Sequence, residues 1–402
     1  MPHVQRLKER ACRAVDEWAG RLWETSLAIH GRPELGYQEV HAASLLCDLL
    51  STGGIEVERT LAGLETAFRG RLPGAPRRPA IAVLAEYDAL PKIGHGCGHN
   101  LIGVSAAGAA IAAAALGGEL PGSVVVLGCP AEESAVDDSG GKIKLLAAGA
   151  FDEIDAAIMM HPGTIDLVPV TGSLASAGLE FEFFGKAAHA AIEPEEGINA
   201  LDAVIQTFVG VNALRQHVRS DVRMHGIITD GGQSPNIVPA HACCRFRVRS
   251  ENREYLAQVI KRVRACAEAA ATATGARLAA RATAAMYEEM RPNKTVAELM
   301  SNHMAHLGRV LHTAPVTSKA SSDLGNVSQR IPAACATIKI AEMGVAFHSA
   351  QFAAASASDA GRRALLDGAK TLVLTAIDLI CDGDRLAAAK QECEARPTQA
   401  SR

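Results

Sequence analysis

Apolar positions recur at helical spacing over residues 5–31, through Leu7, Ala11, Ala14, Val15, Trp18, Leu22, Leu27 and Ile29. They predict one amphipathic helix, which Pro33-Glu-Leu-Gly36 ends. A second helix is predicted over 39–52, closed by Gly53-Gly54. Strands are expected at 56–60, 65–71 and 81–86, with Pro-rich turns between the last two. Residues 122–128 and 154–160 are continuous apolar runs, as in strands buried on both faces. The small-residue stretch 101–116 reads as a buried helix, and another is predicted near 141–149. Buried strands alternating with helices predict a doubly wound α/β sheet.

The pattern changes after Ser176. Leu179-Glu-Phe-Glu-Phe-Phe184 alternates, a helix is expected over 197–219, and strands at 224–229 and 237–248 flank the turn Gly231-Gly-Gln-Ser-Pro-Asn236. A helix over 252–274 and a short strand over 276–282 complete the set. The order strand–helix–strand–strand–helix–strand predicts an inserted α+β, ferredoxin-like domain over 177–289. Residues 1–176 and 290–402 are then one α/β domain, which resumes with a helix at 296–307 and a polar turn at 321–325. A strand at 335–340 and a long helix at 358–381 follow, and the tail is expected to fray beyond Arg385.

Composition narrows the function classes. Among 402 residues, 48% are hydrophobic and 21% charged, as in a globular protein, and the net charge of −4 favours neither nucleic acid nor an anionic membrane surface. The polar N-terminus lacks the apolar core of a secretory signal. The run 103–117 is too short and too small in side-chain size for a membrane span. Ten cysteines are scattered without a small-scaffold spacing and read as free buried thiols of a reducing cytoplasm, except Cys97, which glycines and histidines surround.

Chemistry concentrates at the predicted strand ends. The loop Asp88-Ala-Leu-Pro-Lys-Ile-Gly-His95-Gly-Cys97-Gly-His99-Asn100 follows one strand, with His95 a further candidate. Cys129-Pro-Ala-Glu132-Glu133 follows the next, His161-Pro-Gly163 the third, and His348 lies in a later loop. Open α/β sheets place their sites at this edge. Thiolate, imidazole and carboxylate together suit zinc or a similar borderline ion. Of the adjacent pair Glu132 and Glu133, one can bind metal while the other faces a water, the division of labour of a metallohydrolase. A Cys97–His99 nucleophilic dyad is a poor fit to so tight a loop, and no Gly-x-Ser-x-Gly elbow or phosphate-binding Gly-rich loop occurs. A non-catalytic metal-binding protein is the rival from another class.

Eight segments in order resemble the aminoacylase/amidohydrolase family of metal-dependent peptidases, whose members include auxin-conjugate amidohydrolases, aminobenzoylglutamate hydrolases and aminoacylase-like dipeptidases. They are Pro33-Glu-Leu-Gly-Tyr-Gln-Glu39, Glu86-Tyr-Asp88-Ala-Leu-Pro91, Gly96-Cys97-Gly98-His99, Pro130-Ala-Glu132-Glu133, Met160-His161-Pro-Gly163, Gly185-Lys-Ala-Ala-His189, Gly232-Gln-Ser-Pro-Asn236-Ile-Val-Pro239 and His348-Ser-Ala-Gln-Phe352. The resemblance implies Cys97 as a bridging ligand, His99, Glu133, His161 and His348 as the remaining metal ligands, and Glu132 as the base that activates water. It implies Asp88 as the orienting aspartate, His189 and His225 as oxyanion stabilisers, and Asn236 as a substrate contact. It further implies one or two divalent ions (zinc, manganese or cobalt) and a lid and dimerisation role for the inserted domain, hence a homodimer. The implied substrate is a small N-acyl amino acid, aryl-amide conjugate or dipeptide, with hydrolytic deamination the alternative chemistry. Asn100, where many members carry Asp, and Ser321-Ser-Asp323-Leu-Gly-Asn-Val-Ser328 resemble the dipeptidase branch.

Overall fold

The computed structural model describes residues 2–314 and 319–395, grouped in two units. Five strands precede the second unit: β1 (Glu56–Arg59), β2 (Phe68–Arg71), β3 (Ala80–Ala85), β4 (Ser123–Gly128) and β5 (Ala156–Gly163). The second unit contributes β6 (Ala175–Phe184), β7 (Arg223–Asp230), β8 (His241–Ser250) and β9 (Arg277–Ala282), and β10 (Ala333–Lys339) follows in the returning chain. The helices are α1 (Pro2–Glu17), α2 (Ala19–Gly31), α3 (Val40–Thr52), α4 (His99–Ala114), α5 (Gly141–Ala147), α6 (Ala200–Leu214), α7 (Arg253–Thr274), α8 (Lys294–His306), α9 (Leu324–Ser328), α10 (Ala350–Ser356), α11 (Asp359–Cys381) and α12 (Gly383–Glu394).

The first unit is a mixed sheet in the order β1-β2-β4-β3-β5-β10. Strands β4, β3, β5 and β10 run parallel, with β10 at one edge, and the antiparallel β1 and β2 lie at the other. Every residue of β3 and β4 is buried, which explains why their sequences run apolar without alternation. Helix α4 is buried along nearly its whole length by small side chains that let neighbours approach closely. Gly103 illustrates this: a Cβ there would lie 2.9 Å from the Glu86 carbonyl oxygen and 3.0 Å from Leu46 Cδ1.

The second unit is a four-stranded antiparallel sheet in the order β7-β8-β6-β9. In β8 burial alternates residue by residue, so one sheet face packs on α6 and α7 while the other is partly solvated.

Three local expectations are corrected. The single helix expected over 5–31 is two, α1 and α2, meeting at Trp18, so that Leu7 and Ala11 on one and Leu22 and Ile29 on the other all reach the core. The polar turn at 321–325 is the start of the buried helix α9, with Asp323 wholly inaccessible. The tail past Arg385 forms α12 rather than fraying. Asp382 caps it through Arg385 N–H, Leu386 and Ala389 are buried, and Glu392 accepts the Lys294 and Thr295 N–H groups at 2.8 and 3.1 Å. Residues beyond 395 lie outside the described part.

Candidate metal centre

Parallel β3, β4 and β5 end at one sheet edge, and each delivers polar groups there. Glu86 and Asp88 follow β3, Glu132 and Glu133 follow β4, and His161 lies near the end of β5. Cys97 and His99 enter through Gly98, a left-handed residue (φ 77°) that precedes α4; a Cβ there would sit 2.7 Å from Pro162 Cγ. His348 also has left-handed backbone (φ 57°), held by its N–H bond to Gly96 O at 3.0 Å. Ser349 then caps α10 through Phe352 N–H.

These residues form two groups that share one thiol. Ligand atoms of Cys97, His99 and His161 lie within 4.8 Å of one another, and so do those of Cys97, Glu133 and His348. Cys97 Sγ is 3.4 Å from His161 Nε2, and His348 Nε2 is 3.3 Å from Glu133 Oε1. The imidazoles are oriented from behind. His99 Nδ1 donates to Asp88 Oδ1 at 2.8 Å, and His161 Nδ1 to Pro162 O at 2.7 Å, so both Nε2 atoms face the shared thiol. Asp88 Oδ2 accepts the Glu133 N–H at 2.9 Å, so one carboxylate contacts a candidate ligand from each group.

The donor set fits a divalent ion. His99 Nε2 is buried without a hydrogen-bond partner, a costly state that ion binding relieves. Burial pushes the Cys97 thiol well above its ordinary range, so only a cation at the site draws it into the thiolate form. Burial, then His99, depresses the His161 ring and keeps it neutral, as a ligand must be. Burial opposes ionisation of Glu133, but its bond to His348 and the nearby His99 hold its carboxyl below the usual range.

Glu132 sits differently from Glu133. Its carboxylate groups with Glu86 and His99, again within 4.8 Å. Burial, then Glu86 and Glu133, raises it well above the ordinary carboxylate range. The preceding Ala131 has left-handed backbone (φ 55°), over-determined by its N–H bond to Glu39 Oε1 at 2.8 Å and by Gly140 N–H on its carbonyl.

Two loop residues have other roles. His95 joins neither group; it is buried beside His30, with ring centroids 6.0 Å apart, and burial holds its pKa near 3. Asn100 donates to Ser26 Oγ at 3.0 Å and Ser356 O at 3.3 Å, bonds that an ionised Asp could not donate.

Three further residues, Lys142, Glu86 and Asp323, carry no assignable role in the sequence alone, yet all three are buried beside the centre. Lys142 Nζ lies 2.5 Å from Asp323 Oδ1 and 2.6 Å from Glu86 Oε1. The available signal was a lysine in the first turn of α5, directly after two glycines, where solvation was the default expectation.

His189, His225 and Asn236 belong to the second unit. His189 pairs with Ile237 in an isolated bridge, and its Nδ1 accepts the Ala191 N–H at 3.2 Å. The Asn236 carbonyl accepts the Ala190 N–H at 3.0 Å, which joins the two turns. His225 is exposed on β7 opposite Arg247 of β8, where partial burial and then Arg249 and Arg247 depress its pKa.

Known proteins share both the sequence and the fold. Residues 171–274 match the family model described as a peptidase dimerisation domain. The chain is 36% identical over 397 residues to the Xaa-Arg dipeptidase of Mus musculus, covering 94% of this chain and 90% of that protein. It is 28% identical to a p-aminobenzoyl-glutamate hydrolase polypeptide of Escherichia coli, covering 95% and 92%. In fold it resembles a dinuclear metal-binding peptidase from the M20 family of Bacillus subtilis, with a TM-score of 0.66, 22% identity, and 91% of this chain and 99% of that one covered.

Proposed function

The chain belongs to the M20 family of metal-dependent peptidases and amidohydrolases, enzymes of amide C–N hydrolysis, and we propose that it cleaves dipeptides or small N-acyl amino acids with Glu132 as general base. The observation that carries this is the pair of ligand groups sharing Cys97, with the Glu132 carboxylate grouped beside them with His99 and Glu86. Cys97, His99 and His161 would hold one divalent ion, and Cys97, Glu133 and His348 a second. Thiolate and imidazole donors favour zinc over manganese or cobalt. When bound, the ion supplies Lewis-acid polarisation of the scissile carbonyl and makes water more acidic.

The chain's own residues do the rest. Glu132 takes the proton of the attacking water and returns it to the leaving nitrogen, so the amine departs neutral. Asp88 keeps His99 in the tautomer that offers Nε2 to the centre. His189 and His225 of the second unit are proposed to stabilise the developing oxyanion, and Asn236 to hold the substrate's carboxylate or carbonyl. The matched dimerisation segment supports a homodimer formed through the second unit. Ten free cysteines support a cytoplasmic setting.

The test is amine release from a panel of dipeptides, those ending in Arg included, N-acyl amino acids and aryl amides. Metal-stripped protein is assayed with and without zinc, manganese or cobalt. Metal-dependent release is expected, and Glu132→Gln should lose turnover by orders of magnitude while its metal content stays that of the parent. Wild-type-like turnover in Glu132→Gln would remove Glu132 from its role. Release of ammonia from a non-amide substrate, with no amide cleaved, would move the reading to deamination.

A further inference from the structure

Next to the ligand groups lies a second concentration of charge in which a lysine takes the cation's place. The Lys142 side chain is fully buried, and its ammonium is 2.5 Å from Asp323 Oδ1 and 2.6 Å from Glu86 Oε1. Asp323 Oδ2 accepts the Lys142 N–H at 2.9 Å, so the same carboxylate grips side chain and backbone. The other Glu86 oxygen, Oε2, lies 3.6 Å from His99 Nε2, and Glu86, His99 and Glu132 bring ligand atoms within 4.8 Å of one another. Glu86, Asp323, Lys142 and His99 are all essentially without solvent access.

Two buried carboxylate oxygens that converge on the ammonium position are a start on the ~6–8 oxygen ligands a hard cation such as calcium takes, with water to supply the rest if the ammonium were absent. Buried carboxylates need a paired cation. Lys142 supplies it permanently, at the end of a stem anchored in α5. We propose that Lys142 is a resident cation that closes the Glu86–Asp323 pocket to divalent ions. It thereby confines metal to the groups sharing Cys97 and holds Glu86 beside His99 and Glu132 as a positioning residue. The inference rests on reading the Cys97 groups as the metal centre, and it deepens that reading by stating what limits the number of ions.

Calcium is the discriminating probe, because a hard ion suits two carboxylates and not a thiolate–imidazole set. Zinc-loaded protein is titrated with calcium by calorimetry and equilibrium dialysis, and its melting temperature is followed. Wild type and Lys142→Arg are expected to take up no calcium. Lys142→Ala vacates the ammonium position and should bind one calcium per chain with a rise in melting temperature. Lys142→Met fills the space with an apolar stem and should bind none. A folded Lys142→Ala that takes up no calcium overturns the proposal. If Lys142→Ala fails to fold without calcium, the double variant Lys142→Ala with Asp323→Asn decides. Its folding supports the charge-compensating role; failure of both, at saturating calcium, makes Lys142 a packing element and overturns it. Zinc content and amide cleavage are measured on the same samples. A chain lacking both counts against the function proposed above, while calcium uptake still decides this inference.

Discussion

At the scale of single residues, the candidate centre is held in shape by a carboxylate behind its ligand atoms. Asp88 accepts two N–H donors, one from the His99 ring and one from the Glu133 backbone. An asparagine presents one oxygen and one amide, so it can satisfy only one of these donors and turns a donor toward the other. Asp88→Asn is therefore expected to weaken metal affinity by ~10–100-fold, measured by competition with a chelator. An unchanged affinity would reduce Asp88 to packing. Residue types also explain what was readable in advance. Cys97, His99, Glu133, His161 and His348 stand out because thiol, imidazole and carboxylate are conspicuous at the ends of apolar strands. Lys142 does not, and Asp323 enters only within a segment that resembles the dipeptidase branch, because a lysine or an aspartate is solvated by default. Only their pairing, across 181 residues, makes burial tolerable.

At the scale of elements, helix α4 and strand β3 set the precision of the centre. Their close approach at Gly103 brings the start of α4, with His99, against the segment carrying Glu86 and Asp88. An added methyl must displace either the Glu86 carbonyl or Leu46. Gly103→Ala gains about 1 kcal/mol of helix propensity but meets an overpacking cost of about 1–3 kcal/mol. A net loss of stability is expected in urea denaturation. A variant as stable as the parent would show that the contact yields freely. The alternation of buried strands and helices was legible because each element carries its own period. The break at Trp18 and the docking of α12 were not, since both depend on surfaces supplied by distant segments.

At the scale of the whole molecule, the second unit leaves apolar surface uncovered. Ile227 on the edge strand β7 is 64% exposed and Val209 on α6 is 62% exposed, with Ile205 and Ile228 also accessible. An edge strand carrying such residues invites a partner strand or helix. Val209→Glu combined with Ile227→Lys is expected to halve the mass measured by light scattering, if the homodimer forms through this surface. A parent that is monomeric at all concentrations would end that assignment. No helix among the described residues is long and apolar enough to cross a membrane.

The sequence by itself determined the succession of elements, the strand ends that carry chemistry and the ligand types offered there. These follow from local periodicity and from residue chemistry, which need no partner to be read. Tertiary structure alone decided which atoms meet. It gave Cys97 to both ligand groups, turned His99 Nε2 toward them through Asp88, and set Lys142 between Glu86 and Asp323. The physical reason is that orientation and burial of a charged group are fixed by partners far away in the chain. Their identity is written in the sequence, but their proximity is created by packing.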